Sequence, residues 1–165
     1  MEAVLDTDLE ALAGRVAGAL LASGRQLVTA ESCTGGWIAK VCTDLPGSSR
    51  WFRGGVVAYS NELKAGLLGV RPETLSREGA VSEAVVREMA LGALERLDGD
   101  VAVAVSGIAG PDGGTPDKPV GTVWVAWAVR DPAGSRVRAD EARSGGDREQ
   151  IRRLAVHRAL AGLLE

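Results

Sequence analysis

The chain has one histidine, His157, in 165 residues. A histidine-rich metal centre is therefore excluded, and a Ser-His-Asp triad requires His157 to fold onto the nucleophile. His157 belongs to a helical pattern whose apolar set is Ile151, Leu154, Leu160 and Leu164, which puts it at the flank of a buried stripe. Cysteine is almost as scarce. Cys33 and Cys42 are too few for a disulfide framework and have no zinc-site company. No acidic cluster has metal-ligand spacing, so neither metal nor other cofactor is expected. No apolar stretch is long enough to span a bilayer. The acidic start MEAVLDTDLE lacks the positive segment of a signal peptide. Positive charge is not in excess either: the net charge is −3, which gives no global pull toward nucleic acid or an anionic membrane. A reducing cytoplasm is the simplest expected location.

What is present suits one domain spanning residues 1–165 with a real core: 45% hydrophobic and 25% charged residues. Gly is abundant, at 22 residues, and clustered, which suggests backbone-lined loops. Periodicity and capping residues predict helices over 6–22, from Thr34 or Gly35 to Leu45, and over 60–68, 82–97 and 147–164. Strands are predicted over 26–30, 55–59, 101–105, 122–129 and 135–141, with DPAG joining the last two as a hairpin. The order implies a three-layer α/β/α domain with a mixed, mostly parallel sheet.

Right-handed crossovers make the first three strands parallel, so their C-terminal ends share one sheet edge. That edge collects Glu31-Ser32-Cys33-Thr34-Gly35-Gly36, Tyr59-Ser60-Asn61 and Ser106-Gly107-Ile108-Ala109-Gly110. Ligands of open α/β sheets bind beyond such strand ends. Each loop alone has a structural explanation as a cap or a crossover. Three on one edge point to a site.

Ser32 stands where a strand turns toward a helix, so the amides of Cys33 to Gly36 form a candidate oxyanion or anion cradle. Cys33 ranks second as nucleophile, and Thr34 reads as the helix cap. Without a nearby histidine, the base for Ser32 is sought in AYSNELK: Lys64, in the first turn of a helix, where the dipole disfavours an ammonium and burial would lower its pKa further, with Tyr59 as a proton relay. Arg148, in the first turn of the last helix, can hold a phosphate. The glycine-rich stretch SGIAGPDGGTPDKPVG is neither a P-loop nor a dinucleotide fingerprint, but can line a pocket.

Five stretches carry a resemblance: TAESCTGGWIAK, PGSSRWFRGGVVAYSNELKAGLLGV, GAVSEAV, SGIAGPDGGTPDKPVGTVWVA and GGDREQIRRLAV. Together they resemble the CinA C-terminal domain family, the nicotinamide-nucleotide amidohydrolases, in a stand-alone form without the extra N-terminal domain of some members. The resemblance implies hydrolysis of the carboxamide of nicotinamide mononucleotide to nicotinic acid mononucleotide and ammonia, in pyridine-nucleotide recycling. It implies Ser32 as nucleophile, Tyr59 and Lys64 as its activators, the 106–110 loop as substrate-binding, and no metal. A small-molecule nucleotide is then the expected partner, with a homodimer or higher homo-oligomer as the expected assembly. Two alternatives remain at this level: a non-catalytic nucleotide-binding module, in which a charged Lys64 pairs with phosphate, and a Ser-Lys peptidase.

Overall fold

The structure, a computed structural model, describes residues 4–165. Its sheet has the strand order β2-β1-β3-β4-β5. These strands are β1 (Leu27–Glu31), β2 (Phe52–Val57), β3 (Val101–Gly107), β4 (Thr122–Asp131) and β5 (Gly134–Arg143). β1 pairs in parallel with both β2 and β3, β4 is antiparallel to β3, and β5 is antiparallel to β4. Four of the five strands therefore run the same way, and their C-terminal ends lie at one edge.

Six helices cover the two faces: α1 (Asp6–Ser23), α2 (Trp37–Thr43), α3 (Asn61–Leu68), α4 (Pro72–Glu78), α5 (Glu83–Arg96) and α6 (Arg148–Gly162). Strand alternation divides the core between them. Val101, Val103 and Val105 face one way, toward the α1, α2 and α6 residues Leu9, Ile38 and Ile151. Ala102 and Ala104 face the other way, toward Leu68 of α3 and Val86 and Met89 of α5. α1 buries Leu9, Leu12, Val16 and Leu20 on one stripe and stops at Gly24, whose φ of 65° is the left-handed cap conformation. Ser82 caps α5 and Asp147 caps α6, the latter with Gln150 in a capping box.

The alanine-rich α5 side of the sheet lets helices approach closely. At Gly92 of α5, an added methyl would run into the Leu68 carbonyl of α3. Gly92→Ala should therefore cost about 1–3 kcal/mol by overpacking, read as a lower denaturant midpoint with an unchanged m-value.

Local pattern misplaced several elements. α4 was not predicted at all. It is one short helix with Pro72 at its start and only Thr74 and Leu75 buried, too few apolar positions to show a period. A 3-10 turn, Ser48–Arg50, occupies the loop before β2. β2 runs over Phe52–Val57 rather than 55–59, so Tyr59 lies beyond the strand and is exposed, not buried at its end. α2 begins at Trp37, later than Thr34 or Gly35.

Candidate active site

The Ser32 loop leaves β1 while still tied to the sheet: the Ser32 amide donates to Val105 O at 3.0 Å. Gly35 and Gly36 then take left-handed φ angles of 62° and 96°, inserting a turn before α2. This extra turn displaces Thr34 from the capping position expected for it. Its hydroxyl instead donates to Glu31 Oε1 at 2.7 Å. Glu31 is the residue that caps α2, accepting from the Ile38 amide at 2.9 Å on Oε1 and the Ala39 amide at 3.0 Å on Oε2. A buried carboxylate at a helix start is favoured by the dipole and by its three donors. Glu31→Gln should turn an amide NH₂ toward one of these donors, with a loss of about 1–3 kcal/mol measurable by thermal melting.

Of the amides expected to cradle an oxyanion, Gly35's is already used: it donates to Ser32 O at 3.0 Å. Those of Cys33, Thr34 and Gly36 have no acceptor among the described residues. The Cys33 thiol is buried, and desolvation pushes its pKa up to about 12, so it is a protonated thiol rather than a nucleophile.

Lys64 comes to Ser32 from α3. The buried residues of that helix are Lys64 and Leu68, one turn apart, while Leu63 and Leu67 are exposed. An amine thus occupies a core position that a leucine would ordinarily fill. Ser60 caps the helix, accepting from the Leu63 amide at 3.2 Å, and so fixes where the first turn points. Lys64 Nζ lies 3.1 Å from Ser32 Oγ and donates to the Tyr59 carbonyl at 2.9 Å. Lys64 is 1% exposed, and burial pushes its pKa below the ordinary lysine value. It pairs with no carboxylate among the described residues, and desolvation of an ammonium there outweighs the opposing influence of Cys33.

Tyr59 contributes to this arrangement by its backbone. Its side chain is 59% exposed, and its hydroxyl accepts from Arg148 Nη2 at 3.3 Å rather than bridging Lys64 and Ser32. Arg148 also donates from Nη1 to Gly110 O at 2.7 Å, joining the second and third loops of the edge. Topology explains its presence: β5 ends at the same edge as β1, so the N-terminus of α6 starts there.

The 106–110 loop is partly committed to structure. Ser106 Oγ donates to Ala80 O at 2.8 Å. The Ile108 amide donates to Thr122 O at 2.9 Å, and Ile108 O accepts from Gly121. A methyl at Gly107 would come within 2.7 Å of Val123 Cγ2, so this position needs glycine for cross-strand packing. Ala109 is buried. Asn61 is exposed and lines a depression with Pro72 and Leu75, separate from the Ser32–Lys64 pair. A cavity of about 440 Å³ lies at the opposite end of the sheet, beside Leu20, Val101 and Trp127, and contains none of the predicted site residues. The Ser32–Lys64 contact, rather than that cavity, falls on the edge where the polar loops meet.

Two residues of the edge carry no expectation from sequence: Glu31 and Arg152. Glu31 was visible only as the acid before Ser32. Arg152 is one turn beyond Arg148 on α6, and its Nε and Nη2 each donate at 3.0 Å, to Cys33 O and Thr34 O respectively. The i, i+4 spacing of the two arginines was the available signal. Among the described residues, no group of His, Cys, Asp and Glu side chains converges as metal ligands, and no helix is long and apolar enough to cross a membrane.

The edge brings a serine and a buried lysine into contact, and comparison gives the chain's family. The family model described as the CinA C-terminal domain matches residues 9–165, and the chain belongs to that family. Its relatives include the nicotinamide-nucleotide amidohydrolase PncC of Escherichia coli strain K12, 55% identical over 96% of this chain and 94% of that protein. The PncC of Pseudomonas putida is 51% identical over 93% of this chain and 94% of its own length. The crystal structure of the competence/damage inducible protein CihA from Agrobacterium tumefaciens superimposes with a TM-score of 0.91. It has 43% identity and covers 99% of this chain and 97% of that one.

Proposed function

We propose that this protein hydrolyses the carboxamide of nicotinamide mononucleotide to nicotinic acid mononucleotide and ammonia, with Ser32 as nucleophile and Lys64 as its base. The amidohydrolase relatives support the reaction. The observation that carries the residue assignment is the 3.1 Å contact between Ser32 Oγ and a buried lysine without a carboxylate partner. A neutral Lys64 keeps one N–H on the Tyr59 carbonyl and offers its lone pair to the Ser32 hydroxyl. It takes that proton as Oγ attacks the amide carbon. The oxyanion is received by the unpaired amides of Cys33 and Thr34. The C–N bond then breaks as the Lys64 ammonium returns its proton to the leaving nitrogen. Water, deprotonated by the same amine, resolves the acyl-enzyme and releases the carboxylate product.

Arg148 stands at the rim, between the Tyr59 hydroxyl and Gly110, where the substrate phosphate would be met. In this reading, Tyr59 acts through its carbonyl on Lys64 and through its hydroxyl on Arg148. Incubating the protein with nicotinamide mononucleotide and measuring free ammonia tests the reaction directly. Binding of the nucleotide with no ammonia release would instead support a nucleotide-binding module.

A further inference from the structure

We propose that Arg152 is a positioning residue that aims the oxyanion-binding amide of the Ser32 loop. The inference rests on the reading of Ser32 as the nucleophile of an amide hydrolysis. Its starting point is an arginine that, like Arg148 one turn earlier, bonds backbone rather than an acid. On the same helix, Arg153 pairs with Asp6 and Glu149, and Arg158 with Asp140 and Glu165. Arg152 is half-buried, pairs with no acid among the described residues, and places its guanidinium 5.3 Å from the Trp37 ring centroid. Two of its nitrogens are spent on consecutive backbone carbonyls, Cys33 O and Thr34 O, each at 3.0 Å.

A trans peptide is planar, with its C=O and N–H pointing in opposite directions. Holding the Cys33 carbonyl toward α6 therefore aims the Thr34 N–H away from α6. Holding the Thr34 carbonyl does the same for the Gly35 N–H, which closes on Ser32 O at 3.0 Å. One fork thus orients two successive peptide planes, the second held also by the Trp37 amide, which donates to Thr34 O at 3.1 Å, and the Thr34 amide is left without an internal acceptor. Glu31 holds the Thr34 hydroxyl, so that residue is pinned by both side chain and carbonyl.

The guanidinium charge reaches the same loop. It is among the influences that favour a charged Cys33 thiol, although burial outweighs it. A developing oxyanion beside that backbone would feel the same attraction. Lysine cannot reproduce this arrangement, because a point charge on a flexible stem does not span two carbonyls in a fixed geometry.

The test uses Arg152→Met and Arg152→Lys in the full chain, with two measurements. Hydrogen exchange followed by mass spectrometry reads the peptide covering Ser32 to Gly36. Steady-state ammonia release from nicotinamide mononucleotide gives kcat and KM. The expected result is faster exchange in that loop, kcat lower by about 100-fold, the usual loss for one misplaced oxyanion donor, and KM within about 2-fold. The pH midpoint of the rate should stay where it is in the parent protein, because Lys64 is untouched. A raised KM with kcat intact would overturn the proposal, since that marks a phosphate ligand. Unchanged exchange would overturn it, and so would faster exchange with unchanged kcat, which makes the fork purely structural. If the parent protein releases no ammonia, the substrate assignment fails, while the exchange measurement still decides whether Arg152 holds the loop.

Discussion

Ser32→Ala should lower kcat for ammonia release by at least about 10⁴-fold while KM stays within a few-fold. The backbone bonds that shape the loop, Ser32 N to Val105 O and Gly35 N to Ser32 O, do not involve the side chain. Alanine keeps both, so the binding surface survives and only the nucleophile is lost. No neighbour can substitute. The Cys33 thiol is held protonated by burial, and the Thr34 hydroxyl is committed to Glu31. Residual turnover above about 1% of the parent rate, measured on protein free of host amidases, would remove Ser32 from the nucleophile role. Weaker nucleotide binding in a protein that never releases ammonia would favour the binding-module reading.

Replacing Lys64 should have two opposed consequences. Lys64→Met removes the proposed base and should cost about 10²–10⁴-fold in kcat. The same variant should be more stable near neutral pH. Burial lowers the Lys64 pKa in the folded chain, so between that value and 10.5 the unfolded chain binds more protons. Stability therefore rises with pH through that window, and the desolvated amine is a deficit below it. An apolar side chain of similar length removes the deficit, with an expected gain on the order of 1 kcal/mol, or about 2–4 °C in Tm. Lys64→Arg keeps a permanent charge and should lose both activity and stability. In the parent protein, kcat/KM should climb with pH as Lys64 deprotonates, with a midpoint below the 10.5 of an ordinary lysine. A midpoint at or above 10.5, or a Lys64→Met variant that turns over normally, would rule out the neutral-amine base.

The site was partly legible because its chemistry depends on residue type at strand ends. In a chain with one histidine a candidate base is sought elsewhere, and the lysine after YSNEL is the candidate on that edge. The relay through the Tyr59 hydroxyl is not what the geometry supports: once β2 stops at Val57, the ring turns outward to Arg148 and the carbonyl takes over the contact with Lys64. The Thr34 cap failed for a related reason. Two glycines with positive φ lengthen the turn, and a carboxylate from the strand reaches the helix start first.

Sequence alone determined what is local or repeated: the apolar stripe of α1, the continuously apolar run of β3, the cap at Ser82, and the collection of polar loops at one edge. Tertiary structure decided which groups touch. Pattern would turn Leu63 and Leu67 inward and Lys64 to water, yet the packed helix does the reverse. It also brought Arg148 and Arg152 to loops more than a hundred residues away in sequence in the case of Arg152. The reason is physical. Periodicity records the average preference of a side chain for burial, whereas Lys64 is a costly group kept buried where the rest of the fold holds it, and that exception has no local signal.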